Sequence, residues 1–339
     1  MSDQPLRIGI LSTANIARQF IAGVRPSSTV SVLAVGSRDA TKAASFAGET
    51  GVPRHYGSYA ALLADPDIDA IYNPLPNSLH AEWSIRAMEA GKHVLCEKPL
   101  AVTAAEARTM FAAARRCGVH LAEAYPYRAQ PQTLKLKELV ESGALGRLQL
   151  IQSSMGFTMA SETNIRSSPL LGGGALMDVG VYPVSLARML AKERPSQVSA
   201  VAHWTGTGVD RTLAATIEFP SGLLAQIAGT FATSVYRQAL IAGTEGVLQT
   251  TFNNHPTPAT PPVLYLRSAK GREFAVETLE TPGLNGFLAE AESFERLVRA
   301  GADYWTGVTE EESIDIMLTV EALLQSARSG KPVRIDPSR

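Results

Sequence analysis

Val94-Leu95-Cys96-Glu97-Lys98-Pro99-Leu100 is the stretch on which the reading of this chain turns. A short apolar run stops abruptly at an acid, a base and a proline. Apolar runs of this length read as buried strands of a parallel sheet. In such sheets ligands bind just beyond the carboxyl ends of the strands, where Glu97 and Lys98 would sit. Pro99 has no backbone donor and holds Lys98 in extended geometry, so it sets how the lysine leaves the strand. An isolated Glu-Lys-Pro is more often a solvated strand end, because surface charges are the rule. The flanking chain reverses those odds.

Outward on the N-terminal side, Arg7 to Leu11 reads as a strand, followed by Ser12-Thr13-Ala14-Asn15-Ile16-Ala17 and a helix with Ile16, Phe20 and Ile21 at helical spacing. Strand, tight turn and helix open a dinucleotide-binding fold, in which phosphates rest on the helix N-terminus. Ser12, Ala14 and Ala17 stand at the G-x-G-x-x-G places, so the match is weak by itself. Ser12, Thr13, Ala14, Asn15 and Ile16 are the candidate phosphate contacts. The second strand, Val30 to Val35, closes in Gly36-Ser37-Arg38-Asp39. An acid here would hold a ribose 2′-OH, whereas an arginine accommodates a 2′-phosphate. Ser37 and Arg38 point to NADP. Asp39 keeps NAD open, unless it caps the helix starting near Ala40.

A third strand, Ile68 to Tyr72, ends in Asn73-Pro74-Leu75-Pro76-Asn77-Ser78, a rigid loop again at a strand's C-terminal end. Pro74, Asn77 and His80 are candidate cofactor contacts there, although a lone histidine at a helix start is more often a structural hydrogen-bonder. Beyond the central stretch, Thr103 to Glu106 reads as a capping box on a helix ending at Gly118, and His120 to Glu123 as another strand. The alternation predicts a doubly wound sheet over residues 1–124. After Ala124 the pattern changes. A crossover through Tyr125 to Pro131 leads to helices at Gln132 to Ser142 and up to Leu190, with a strand at Leu148 to Ser154 between them. Four strand-like runs follow: Val198 to Trp204, Leu213 to Phe219, Leu223 to Phe231 and Gln238 to Ala242. Strands without intervening helices imply a mixed, mostly antiparallel sheet in an α+β domain over 125–339. Phe252 to Pro262 reads as an exposed loop, and helices at Gly286 to Ala300 and Thr309 to Ser329 finish the chain.

Composition narrows the partners. The 339 residues are 45% hydrophobic and 19% charged, with net charge −1. Nucleic acid and anionic membrane are therefore poor candidates. Met1 to Pro5 carries no basic segment followed by a long apolar one, so neither signal peptide nor membrane span is expected. Cys96 and Cys117 have no metal-ligand spacing; reduced thiols in a cytoplasmic protein are the expectation, with no metal.

The last informative stretch is Gly172 to Pro183. Asp178 and Tyr182 are four residues apart, on one face if the segment is helical. Alone, such a pair more often satisfies local hydrogen bonds. Together, Glu97-Lys98-Pro99, Tyr127-Arg128 and Gly174 to Tyr182 resemble the Gfo/Idh/MocA oxidoreductases, and the resemblance covers nearly the whole chain. Tyr182, where inositol dehydrogenases carry histidine, resembles the branch of glucose–fructose oxidoreductase, dihydrodiol dehydrogenase and NADP-dependent xylose dehydrogenase. The resemblance implies catalytic roles for Lys98 and Tyr182, with Asp178 in support. It also implies a cis bond before Pro99, and a homodimer or homotetramer joined through the C-terminal sheets. Two departures are the glycines replaced by Ser12 and Ala14, and Gln130 where many members have histidine.

The implied chemistry moves a hydride between NADP and a sugar, polyol or trans-dihydrodiol. A phenol with pKa near ~10 is a poor base at neutral pH, and a nearby ammonium would lower that value. Tyr182 is then the acid/base and Lys98 its electrostatic partner; the reverse assignment stays open. Glu97 is expected on the nicotinamide side, with Tyr127 and Arg128 walling the substrate. The rival readings are a non-enzymatic NADP-sensing regulator, which would be expected to lose Lys98 or Tyr182, and a glycosidase of the same fold that retains NAD.

Overall fold

The computed structural model describes residues 4–336, apart from 160, 162, 271 and 272; Met1 to Asp3 of the N-terminal reading lie outside the described residues. The first half of the chain alternates strand and helix. It runs β1 (Leu6–Leu11), α1 (Asn15–Val24), β2 (Val30–Gly36), α2 (Ala40–Thr50), β3 (Arg54–Tyr56), α3 (Tyr59–Leu63), β4 (Ala70–Asn73), α4 (His80–Glu89), β5 (His93–Glu97), α5 (Ala104–Cys117) and β6 (Leu121–Ala124). The strands form one parallel sheet in the order β3-β2-β1-β4-β5-β6. The order reverses at β1 and β4, the place where an open α/β sheet leaves a crevice for a ligand. The short strand β3 is absent from the sequence reading, because three residues with no buried side chain carry no apolar signal.

The second half runs α6 (Pro131–Glu141), β7 (Leu148–Thr158), α7 (Val181–Ala191), β8 (Gln197–Trp204), β9 (Asp210–Glu218), β10 (Leu224–Thr230), β11 (Ala232–Gly243), β12 (Gly246–Thr250), β13 (Val263–Lys270), β14 (Glu273–Glu280), α8 (Gly286–Ala300), α9 (Glu310–Ser329) and β15 (Val333–Arg334). Nine strands make a second sheet, β14-β13-β12-β11-β7-β10-β9-β8-β15. Only the β10–β7 pair is parallel; the others are antiparallel. The expected doubly wound sheet and mixed open sheet are both present.

The single boundary expected between residues 124 and 125 is not how the chain divides. One unit comprises Met1–Gln130 with Leu284–Glu310, the other Pro131–Gly283 with Glu311–Arg339. The reason is α8. Its Phe287, Ala291, Phe294 and Leu297 complete the apolar cluster formed by Ile8, Phe20, Tyr72 and Leu95, so the helix is a late-arriving part of the first core.

In the second unit α7 is buried along its length from Val181 to Leu190. It is anchored by Arg188, whose Nε lies 2.7 Å from the fully buried Asp315 of α9. Segment 169–191 is long and apolar enough to pass for a membrane span, and most of it is buried in protein instead.

Candidate active site

The first unit presents the cofactor candidates. Ser12 follows β1 with φ of 101°, a left-handed conformation that glycine adopts without strain. Its own side chain offsets the substitution: Oγ accepts the Ala14 N–H at 2.9 Å. Helix α1 then starts at Asn15 with no side-chain cap and no acid in its first turn. Its leading N–H groups and the positive end of its dipole therefore suit a phosphate. Thr13, Ala14 and Ile16 remain partly accessible beside it.

At the end of β2, Ser37 is buried and its Oγ accepts the Asp39 N–H at 3.2 Å. Asp39 is occupied as a helix cap, with Oδ1 accepting the Lys42 N–H at 3.0 Å. Arg38 is exposed and close enough to Tyr59 to oppose the upward push of burial on that phenol. These residues fit a 2′-phosphorylated nucleotide better than a bare ribose.

Pro74 is buried and Asn77 partly accessible. His80, expected among the cofactor contacts, is engaged within the fold. It is wholly buried, with Nδ1 2.8 Å from the Pro99 carbonyl and Nε2 2.7 Å from the Leu75 carbonyl. Two carbonyl neighbours favour the charged ring, but burial outweighs them and pushes its pKa down to about 4. His80 is a clamp between the loop after β4 and the proline after β5.

That clamp is one of several on Glu97-Lys98-Pro99. Glu97 Oε1 accepts the Tyr72 hydroxyl at 2.6 Å, and Oε2 accepts the Lys98 N–H at 3.2 Å. Tyr72 is itself stacked on Phe20, centroids 3.9 Å apart. The Lys98–Pro99 bond is cis, and Glu123 accepts the Leu100 N–H at 2.8 Å. Glu97 is buried while Lys98 keeps partial access to solvent. Glu290 of α8 lies in the same interior; burial, then the Glu97 charge, pushes its carboxyl well above the usual range. Tyr127 and Arg128 are the residues expected to wall the substrate. Both are buried, and Arg128 Nη2 donates to the Gly307 carbonyl at 3.3 Å.

The second unit presents the acid–base candidates. Gly173 and Gly174 allow the chain to close against Arg166: a Cβ on Gly173 would stand 2.3 Å from the Arg166 carbonyl. Gly174 adopts φ of 120°, and a Cβ there would meet Asp210 Oδ1 at 2.2 Å. Asp210 is thereby free to accept the Leu176 N–H at 2.7 Å and start a π turn over Leu176–Gly180, which leads into α7. Asp178 lies in that turn and Tyr182 in the first turn of α7. Asp178 Oδ2 accepts the Arg166 Nε–H at 2.6 Å. The Tyr182 hydroxyl accepts from Asn254 Nδ2 at 3.1 Å, and the Arg237 guanidinium lies 5.2 Å from the ring centroid.

Sequence reasoning missed Arg166, Arg237, Asn254 and His255. The segment read as an exposed loop, Phe252 to Pro262, buries Phe252, Asn254 and Pro256 and delivers Asn254 to Tyr182. Burial, then the Arg237 charge, pushes His255 down to about 4, so it is neutral near pH 7.

Comparison with known proteins matches the chain to a family. Residues 6–125 fit the model described as oxidoreductase family, NAD-binding Rossmann fold, and residues 133–249 the GFO/IDH/MocA C-terminal domain. The chain is 36% identical over 334 residues to D-xylose 1-dehydrogenase (NADP(+)) 2 of Haloferax volcanii, covering 98% of this chain and 100% of that protein. It is 34% identical over 303 residues to trans-1,2-dihydrobenzene-1,2-diol dehydrogenase of Danio rerio, covering 87% and 89%. Among solved structures, a 3-ketoreductase from Actinomadura kijaniata in complex with NADP and TDP-benzene superposes with a TM-score of 0.84 at 28% identity, covering 95% of this chain and 98% of that one. Forms of that enzyme with a tyrosine changed to phenylalanine and a lysine changed to alanine have also been solved.

Proposed function

Because this chain belongs to the Gfo/Idh/MocA oxidoreductase family, we propose that it moves a hydride between NADP and a CH–OH or carbonyl carbon of a sugar, polyol or trans-dihydrodiol. The observation that carries the reading is the setting of Tyr182, a phenol bonded to a neutral amide with a cation over its ring and an aspartate one turn before it. Such a phenol can take and return a hydroxyl proton. Lys98, leaving β5 beside the clamped Glu97, is the second catalytic group, a donor to substrate oxygen and an electrostatic partner for a phenolate. In the 3-ketoreductase, the lysine and tyrosine that were replaced are separated by as many residues as Lys98 and Tyr182 are here. The nicotinamide, when bound, accepts or supplies the hydride. Ser12 to Ile16 would hold its pyrophosphate, Ser37 and Arg38 its 2′-phosphate, and Glu97 its nicotinamide side. Asp178, tied to Arg166, orients the turn that carries Tyr182. The cytoplasm, where NADP is abundant and Cys96 and Cys117 stay reduced, is the proposed compartment.

The test is turnover of a panel of aldoses, polyols and trans-dihydrodiols with NADP⁺, followed by NADPH absorbance. Tyr182→Phe and Lys98→Ala should each lower kcat by roughly a hundredfold or more while NADP binding survives, as for a lost general acid/base. Turnover of Tyr182→Phe at the wild-type rate would refute the assignment. Net redox turnover of free NADP also separates this reading from a sensor without catalysis and from a glycosidase that retains its nucleotide.

A further inference from the structure

Lys98 is one cation assigned to the chemistry, and the second unit carries another. Arg237 sits on β11 opposite Met155, at the same parity as the buried Ala239 and Ile241, so its side chain leaves the sheet on the covered face. A charged residue is unusual at such a position. Its guanidinium lies 5.2 Å from the centroid of the Tyr182 ring. Its Nη1 is buried with no hydrogen-bond partner, and no described carboxylate forms an ion pair with it. Burial is what chiefly disfavours the charge of Arg237, while Tyr182 and Asp178 favour it.

The other titratable groups around the phenol are already engaged or neutral. Asp178 is paired with Arg166 at 2.6 Å. Asp210 of β9 is held by the Leu176 N–H at the far end of the π turn. Asn254 carries no charge, and His255, pushed down to about 4, is neutral at working pH. The segments of β7 and β10 that pack on α7 hold no acidic or basic residue.

We propose that Arg237 is a positioning residue that acts through Tyr182, as the fixed cation that sets the pH at which its phenol ionises. A guanidinium does not give up its proton in a protein, so its charge is constant across the working range. Partly desolvated and without a carboxylate partner, it gains most when a full negative charge forms beside it. The neutral ring offers only its weakly negative face, whereas the phenolate offers that charge. The differential favours the phenolate and lowers the pKa of Tyr182. The consequence for turnover rests on Tyr182 being the acid/base; the effect on its ionisation does not.

The test is an ultraviolet titration of the phenolate in the full-length protein, with and without NADP. Each form is subtracted from its Tyr182→Phe counterpart, which removes the other eight of nine tyrosines. Wild type should ionise below the ordinary ~10, and so should Lys98→Met, in which Lys98 cannot be the cause. Arg237→Gln and Arg237→Met should raise the midpoint by about one pH unit or more, and Arg237→Lys should restore most of it. The kcat/KM profile should move in parallel, so activity lost at neutral pH returns in alkali. Equal midpoints with and without the guanidinium would overturn the proposal, as would lower activity on an unmoved pH profile. If neither neutral variant folds, the Lys98→Met titration decides alone, and a midpoint at or above ~10 refutes it. Full activity of Tyr182→Phe alongside a midpoint that follows Arg237 would remove the acid/base role and leave this inference standing.

Discussion

Arg38 and Asp39 are neighbours with opposite implications for the cofactor, and their local bonds separate them. Asp39 spends a carboxylate oxygen on the Lys42 N–H at 3.0 Å and starts α2. Arg38 is exposed at the end of β2. A charge-assisted hydrogen bond to a phosphate contributes roughly 1.5–3 kcal/mol, and ~1.4 kcal/mol is tenfold in affinity. Arg38→Ala should therefore weaken NADP about ten- to a hundredfold and leave NAD nearly unchanged. Asp39→Ala should instead cost about 1 kcal/mol of stability as a lost cap, with little change in NAD affinity. Titrating both nucleotides against both variants, with a urea melt of each, checks the pair; a wild type binding NAD and NADP equally would count against the assignment. At this scale the sequence offers candidates wherever residues sit in a contiguous motif, as Lys98, Asp178, Tyr182, Ser37 and Arg38 do. Arg166 and Asn254 could not be picked out that way: Arg166 meets Asp178 only once the Gly173–Gly174 turn closes the chain against it, and Asn254 meets Tyr182 only after the strands from β8 to β12 have paired. Arg237 stands one residue before the run read as Gln238 to Ala242, and only the longer β11 gives it an inward position.

At the scale of elements, β5 carries Glu97 at one end and a histidine pair at the other. At its start His93 and His120 stack, ring centroids 5.4 Å apart. The His120 N–H donates to His93 Nδ1 at 3.0 Å, which requires that nitrogen to be an acceptor. Protonating His93 would remove that acceptor and put its charge beside His120. Burial, then His120, lowers its pKa to about 4. The folded value lies below the unfolded ~6.5, so the neutral ring stabilises the fold in full above pH ~6.5. That contribution is lost as pH falls from there towards about 4. After discounting for solvent around a half-buried ring, the loss is roughly 1–2 kcal/mol. His93→Asn keeps an acceptor that does not titrate, so its melting temperature should fall less between those pH values than that of wild type. Parallel slopes in thermal melts would contradict this account. Elements with a clean period were legible: α8 from Gly286 to Ala300 matches its reading end for end. Strands β12, β13, β14 and β15 were not: apolar Tyr265 and Val276 stand on the outward face and polar Thr250 and Glu277 on the inward one, so only pairing to neighbours gives these strands a face.

At the scale of the whole molecule, the nine-stranded sheet raises the question of assembly. One of its faces buries Val198, Ile217, Ala225, Ile151 and Ile241. The other exposes Val201 at 72%, Val276 at 55%, Tyr265 and Leu224. It also carries amides: Gln152 donates to Gln226 at 2.7 Å across the β7–β10 pair. Nine strands spaced about 4.8 Å apart, each some seven residues long at about 3.3 Å per residue, present a face of about 900 Å². A stable interface needs about 800 Å² per partner. A two-fold contact with its axis on the glutamine row would bring the glutamines of the two copies together, which can satisfy amides that burial would otherwise strand. We therefore expect a homodimer, or a tetramer built from it, through this face. Light scattering should give a mass at least twice 36.1 kDa. Val201→Asp with Leu224→Asp should shift it towards the monomer, because an unpaired carboxylate in a buried interface costs several kcal/mol. Substitution of Arg25, on the other unit, should leave the mass unchanged. A monomer mass that is independent of concentration in the unaltered protein would exclude this assembly.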